Sequence, residues 1–303
     1  MTIPIENILT YSVVRILTDE TQNVGTGFFY RIDFEGPKSF SKLFIATNKH
    51  VIEGANTISF VITTTVNVNE TNRFGQFNDQ KHETISLSLG KSNHFGVVSD
   101  VVIRHPDSEV DLALIDVTVP IGRYMARNKL RIAPLMNTWL HSQSDRPLRS
   151  IETVKVVGYP DGHWDSFNNA PIARTGSTAT HPLAMLEGKS NFLVDAALFG
   201  GSSGSPVFAF EAPMYLLPQG GYSPGTKASL IGILWGVVQK DTQGTLVMEK
   251  IPASIGLKPT IKTSLNLGVA LHASHLLEIE NIVRTGAVTS QFNERVPFRN
   301  AHD

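Results

Sequence analysis

The sequence predicts an all-β fold of closed barrels or sandwiches with one terminal helix, and three observations carry that reading. Its apolar runs are short and rich in Val, Ile, Phe and Thr, as half-buried strands are. Gly, Asn, Asp and Pro separate them, the punctuation of antiparallel turns. Only the segment 274–283 places apolar residues at helical spacing, with Leu276, Leu277, Ile279, Ile282 and Val283 forming a stripe that can dock on a sheet.

Taken in order, the predicted strands are 12–17, 27–32, 43–47, 57–63, 85–89, 97–103, 112–117, 152–158, 205–210, 230–238, 245–250 and 267–271. With 303 residues the chain has about two domain-lengths, at ~100 to 200 residues each. The strand rhythm breaks over 120–145, which carries Arg123, Arg127, Lys129 and Arg131, so the connection between two β-domains is expected there with its basic residues on a solvated face. The expected division is 1–125, a linker at 126–150, and 151–303. The segment 211–229 contains Pro213, Pro218, Pro224, Gly220, Gly221 and Gly225 and is expected to be a long loop; its Met214-Tyr215-Leu216-Leu217 run is either a packed base or a partner-binding tip.

Composition narrows the function. With 41% hydrophobic and 17% charged residues the chain can fill such cores and is not a disordered polymer. Lys+Arg is 26 against Asp+Glu 27, a net charge of -1, so no global field draws it to nucleic acid or an anionic membrane. There is no cysteine, which removes disulfides, thiolate nucleophiles and Cys-ligated zinc. The first 17 residues have no basic stretch followed by an unbroken apolar one, which gives the expectation of a cytoplasmic protein.

Three segments combine a reactive side chain with a strand end. In Leu43-Phe44-Ile45-Ala46-Thr47-Asn48-Lys49-His50-Val51 an apolar strand runs out into a histidine. In Asp111-Leu112-Ala113-Leu114-Ile115 a carboxylate immediately precedes an apolar strand, where it can orient an imidazole. In Gly200-Gly201-Ser202-Ser203-Gly204-Ser205-Pro206 glycines flank serines before another strand, permitting a tight turn whose backbone N–H groups converge. Each is weak alone. Together, in the order His, Asp, Ser, they match one known chain order of the Ser-His-Asp triad. Ser202 and Ser205 compete with Ser203, and Asp107 and Asp116 with Asp111. His272 and His275 are three apart but lack a third ligand in sequence, His105-Pro106 reads as a structural turn, and His163-Trp164-Asp165 as a loop at a cleft rim.

The segments TNKHV, DLALI and GSSGSP resemble the signature blocks of trypsin-like, chymotrypsin-fold serine proteases. Asp195-Ala196-Ala197, Gly25-Thr26-Gly27-Phe28 and Leu267-Gly268-Val269-Ala270 are most similar to the bacterial HtrA/Deg branch, though too little chain follows for the PDZ domain those enzymes often carry. The resemblance implies two six-stranded antiparallel β-barrels, peptide or protein substrates, and no cofactor or metal. It also implies catalysis by His50 as base, Asp111 as orienting carboxylate and Ser203 as nucleophile, with the N–H groups of Gly201 and Ser203 as the oxyanion hole. Ala197 would floor the specificity pocket, with Trp235, Gly236 and Gly268 as its walls, giving a preference for Leu, Val, Met or Ala over Lys or Arg. Ser202 stands where secreted relatives place an aspartate that pairs with a freed N-terminus, so activation by N-terminal cleavage is not expected; control would rest in the loop 198–201. A catalytically silent peptide-binding relative is the alternative.

Overall fold

The computed structural model describes residues 3–19, 24–36, 39–65, 80–89, 101–125, 129–160, 163–243 and 260–286. The all-β class with a C-terminal helix is what it shows. A short helix α1 (Ile5–Tyr11) leads into β1 (Val13–Thr18), β2 (Val24–Phe34), β3 (Phe40–Thr47), β4 (Thr57–Thr65), β5 (Lys81–Ser88), β6 (Val102–Arg104) and β7 (Ala113–Asp116). Helix α2 (Thr118–Met125) and β8 (Lys129–Leu130) follow. These strands form one antiparallel sheet in the order β5-β4-β1-β2-β3-β7-β6, with β8 paired to β4.

The second half contains β9 (Thr153–Gly158), β10 (Ile172–Thr178), β11 (Asn191–Asp195), β12 (Pro206–Glu211), β13 (Met214–Leu216), β14 (Tyr222–Pro224), β15 (Lys227–Gln243), β16 (Thr260–His272) and α3 (His275–Thr285). Six of them close a barrel in the order β10-β11-β16-β15-β12-β9.

Strands β2 and β3 are apolar on both faces because both are covered. Phe29 and Ile45 point into a core shared with Ile16, Phe60 and Ile115 within the first sheet. The alternate residues Phe28, Tyr30, Ile32 and Phe44 point the other way, against Tyr159 and Phe208 of the barrel half and Leu276 and Ile279 of α3. Each such large side chain contributes about 1.5–3 kcal/mol on burial, so the two β-units and α3 share one apolar seam. One buried polar group along it, Tyr30, is paired. The Tyr30 hydroxyl donates to Glu280 Oε2 at 2.6 Å, and burial together with that carboxylate pushes its pKa well up. At the barrel's base, buried Arg146 makes two 2.7 Å bonds to buried Glu152 and a 3.1 Å bond to Glu211.

The structure changes several local expectations. Arg131 does not sit on a solvated face: its guanidinium is half-buried, donates to the carbonyl oxygens of Asn168 and Asn169 and to Thr63 Oγ1, and so ties the first sheet to the loop before β10. The expected loop 211–229 contains the hairpin β13–β14, with Tyr215 opposite Ser223. Strands β10 and β11 and helices α1 and α2 were not among the predicted elements. The predicted strand 245–250 lies outside the described residues, as do the first four positions of 97–103.

Candidate active site

Strand pairing puts a histidine and an aspartate side by side. Thr47 at the end of β3 lies opposite Ala113 at the start of β7, so the residues just after the one and just before the other leave the sheet at the same edge. His50 and Asp111 are those residues. Asp111 Oδ2 lies 2.5 Å from His50 Nδ1, and Asp111 Oδ1 accepts the backbone N–H of His50 at 3.1 Å. The carboxylate therefore grips both the ring and the main chain of the same residue. Asn48, fully buried, donates its amide to the Asp111 carbonyl at 2.7 Å and fixes the aspartate's own backbone. Burial pushes the Asp111 carboxyl up, but the bonds from the His50 ring and from the His50 and Lys49 N–H groups outweigh it and hold the group below the usual carboxylate range. The imidazole remains reachable: its side chain is 43% exposed against 23% for the aspartate.

The rival carboxylates are elsewhere. Asp107 Oδ1 accepts the N–H of Glu109 at 2.9 Å, and Asp116, at the far end of β7, accepts the N–H of Thr118 at 3.0 Å.

The serine turn is clamped from both β-units. On the barrel side, Gly204 N–H donates to Leu234 O at 2.7 Å and Leu234 N–H to Ser205 O at 2.9 Å. On the first sheet's side, buried Thr26 of β2 donates its N–H to Ser203 O at 2.9 Å and its hydroxyl to Gly201 O at 3.0 Å. Two glycines make this approach possible. Gly204 has φ +87, and a Cβ on it would meet Thr26 O at 1.8 Å. Gly201 has φ +75, and Ser202 N–H reaches back to Phe199 O at 3.3 Å, a tight turn whose third residue needs a positive φ. Among the described residues the N–H groups of Gly201 and Ser203 have no backbone acceptor.

Of the three serines, Ser202 is 4% exposed and Ser205 fully buried, with Oγ so close to Gly158 that a Cβ there would lie 2.0 Å from it. Ser203 is the more accessible one. Its hydroxyl donates to Trp235 O at 3.2 Å and makes no hydrogen bond to His50.

The expected pocket residues do not all face one space. Ala197 and Asp195 are exposed, and a Cβ on Gly236 would meet nothing within 4 Å. Gly268 is packed instead: a Cβ there would meet Leu198 at 2.3 Å and Leu234 at 2.6 Å, so its missing side chain makes room for the core of the barrel. Of the loop at 163–165, Trp164 lies under the Arg15 guanidinium, 4.0 Å from the ring centre, and Asp165 closes a turn with Ala170.

Thr26 was legible only as part of the Gly25-Thr26-Gly27-Phe28 resemblance, not as a site residue. Its Oγ1 also accepts the N–H of Tyr159 at 3.0 Å, so one hydroxyl satisfies two buried backbone groups. Thr26→Val keeps the shape and removes both bonds, each orphaned group costing ~1–3 kcal/mol. The expected result is a kcat lower by roughly tenfold or more, as one to two of those kilocalories fall on the turn's geometry, with KM changed less. Thr26→Ser, which restores the hydroxyl, should recover most of the rate. Steady-state kinetics on a peptide substrate check this, and a loss in KM alone would contradict it.

A double β-unit with a histidine–aspartate pair on one sheet edge and a glycine-framed serine on the other unit has the architecture of a trypsin-like peptidase. The model of the trypsin-like peptidase domain matches residues 25–212, and the chain belongs to that family. No curated protein sequence is significantly similar to the chain. Solved structures similar to it include a serine-to-alanine variant of Rv3671c from M. tuberculosis H37Rv in its inactive form, at 17% identity over 91% of this chain and 87% of that one, TM-score 0.41. Deg5 is similar at 18% identity over 75% and 80%, TM-score 0.39. The scabies mite inactivated protease paralogue S-I1 is similar at 12% over 90% and 95%, TM-score 0.42. No described helix is long and apolar enough to cross a membrane.

Proposed function

We propose that the protein is a serine endopeptidase working through His50, Asp111 and Ser203. The observation that carries this is the double grip of Asp111 on His50, which leaves Nε2 of an exposed ring free to act as base. With Nδ1 carrying the proton shared with Asp111, Nε2 takes the hydroxyl proton of Ser203 as Oγ attacks the amide carbonyl carbon. The carbonyl oxygen becomes an oxyanion facing the N–H groups of Gly201 and Ser203. The imidazolium, stabilised by Asp111, then gives its proton to the leaving nitrogen as the C–N bond breaks. Water, activated by the same nitrogen, hydrolyses the ester on Ser203.

Substrate preference follows from Ala197, which offers a cation no carboxylate partner, so side chains without charge are favoured before the scissile bond. The proposal extends to a narrow processing role on one partner protein, for example in a bacterial stress or defence pathway.

A second reading, a silent peptide-binding relative, is favoured by one observation: Ser203 Oγ bonds Trp235 O rather than His50. A fluorophosphonate probe separates the two, because phosphonylation requires an activated hydroxyl. Labelling of the full chain at Ser203, found by peptide mapping, supports the enzyme. A chain that stays unlabelled while still binding peptides supports the silent relative.

A further inference from the structure

The fold brings His105, from a distant loop, to the start of α3, where it joins His275 and Glu278; His272 is not in this group. His105 follows β6 and is 5% exposed; His275 opens α3 and is 8% exposed. Between them stands Glu278, one turn into the helix, with a side chain 54% exposed. His105 Nε2 lies 3.1 Å from Glu278 Oε2, and His275 Nδ1 lies 3.1 Å from Glu278 Oε1. The two rings meet edge to face, with centres 5.4 Å apart. One donor atom from each of the three residues lies within 4.8 Å of the other two.

The geometry points to a divalent metal site at His105, His275 and Glu278, of the kind that takes zinc. Zinc bonds of ~2.0–2.1 Å in a tetrahedron put neighbouring ligand atoms about 3.3 Å apart. With Glu278 bound through one oxygen, one edge is already near that value at 3.1 Å, and the other two close from within 4.8 Å. Two imidazoles and one carboxylate make a donor set that suits zinc better than magnesium or calcium, which want oxygen alone. The exposed side of Glu278 leaves the fourth position to water.

A hydrogen-bonded clamp without metal explains the cluster less completely. His275 Nδ1 is buried and lies 3.1 Å from Glu278 Oε1, but the contact is not aligned as a hydrogen bond. A metal ion bound to that nitrogen removes the deficit. On metal binding, Nε2 of His105 gives up the proton it shares with Glu278. Nδ1 takes one in its place, at the expense of the long 3.3 Å contact from Asp107 N–H.

The site stands apart from the triad and yet touches its support. His105 begins the loop that ends in Asp111, and its N–H donates to Leu112 O at 2.9 Å. A metal here staples that loop to α3.

The test is zinc titration of the chelator-stripped full chain by competition with a chromophoric indicator. A catalytic histidine can also take zinc, so the titration is run in a His50→Ala background. One equivalent should bind. Glu278→Ala in that background should weaken binding by at least the ~10- to 100-fold that loss of even an outer partner costs. Because Glu278 is exposed, that variant should keep its far-UV circular dichroism, and His275→Ala should behave alike in binding. Absence of saturable binding, loss of binding on His50→Ala itself, or equal affinity with and without Glu278 would each overturn the proposal.

Discussion

Ser203→Ala is expected to lower the turnover of a peptide substrate by on the order of 10⁶-fold, the scale seen when a triad serine is lost, with the fold unchanged. The stability side follows from what the hydroxyl touches. Its bond is a single 3.2 Å contact to Trp235 O, so its removal costs about 1 kcal/mol at most and opens little space. The activity side follows from burial. Ser202 and Ser205 sit in the same turn, but neither is accessible to a substrate carbonyl. Ser205 Oγ is buried without a hydrogen-bond partner, so Ser205→Ala should be neutral or slightly stabilising and should retain turnover. The two alanine variants, compared by kcat on an internally quenched peptide and by thermal melting, separate Ser203 from Ser205. Wild-type-like turnover from Ser203→Ala would end it, as would a collapse of activity confined to Ser205→Ala.

The class of fold was legible in the sequence because strand-forming runs are local: Phe28 to Tyr30 and Phe44 to Ala46 are apolar whichever unit covers them. What sequence missed was set by contacts between segments. Strand β10, which carries Arg174, Thr175, Gly176, Ser177 and Thr178, was not among the predicted strands; at Gly176 a Cβ would meet Asp195 O of the neighbouring β11 at 2.1 Å. Strands β15 and β16 were foreseen only over their apolar parts, yet pairing continues to Gln243 opposite Thr260, since ladder hydrogen bonds need no apolar side chain. The reactive residues stood out because each lies beside one end of a strand, and pairing of β3 with β7 turns that into adjacency for His50 and Asp111. Gly268 misled for the opposite reason. A glycine next to a pocket and a glycine under a core leucine look alike until Leu198 is placed. His105 and Glu278 are too far apart in the chain for any spacing rule to join them.

Asp111→Asn is expected to lower kcat by roughly 10⁴-fold while the protein stays folded and binds substrate with little change in KM. The carboxylate has two acceptor oxygens and both are used, one by the His50 ring and one by the His50 backbone N–H. An asparagine has one acceptor and one donor group, so it can serve only one of these. If its oxygen faces the ring, its NH2 opposes the backbone N–H and the segment carrying His50 is pushed off its position. If its NH2 faces the ring, Nδ1 must accept, the proton moves to Nε2, and the nitrogen meant to receive the Ser203 proton is already occupied. Either orientation also removes the negative charge that stabilises the imidazolium. The pH dependence has a definite sign. Asp111 is held below the usual carboxylate range in the fold, so its contribution to stability is complete above the unfolded carboxyl pKa and is lost only as pH falls through the lower folded value. An uncharged amide at this position carries no such dependence, and the wild-type advantage in thermal stability should therefore shrink toward acid pH. Steady-state kinetics at neutral pH, with melting curves across the acid range, test both halves of the argument. An asparagine variant with near wild-type turnover would place the orienting carboxylate elsewhere.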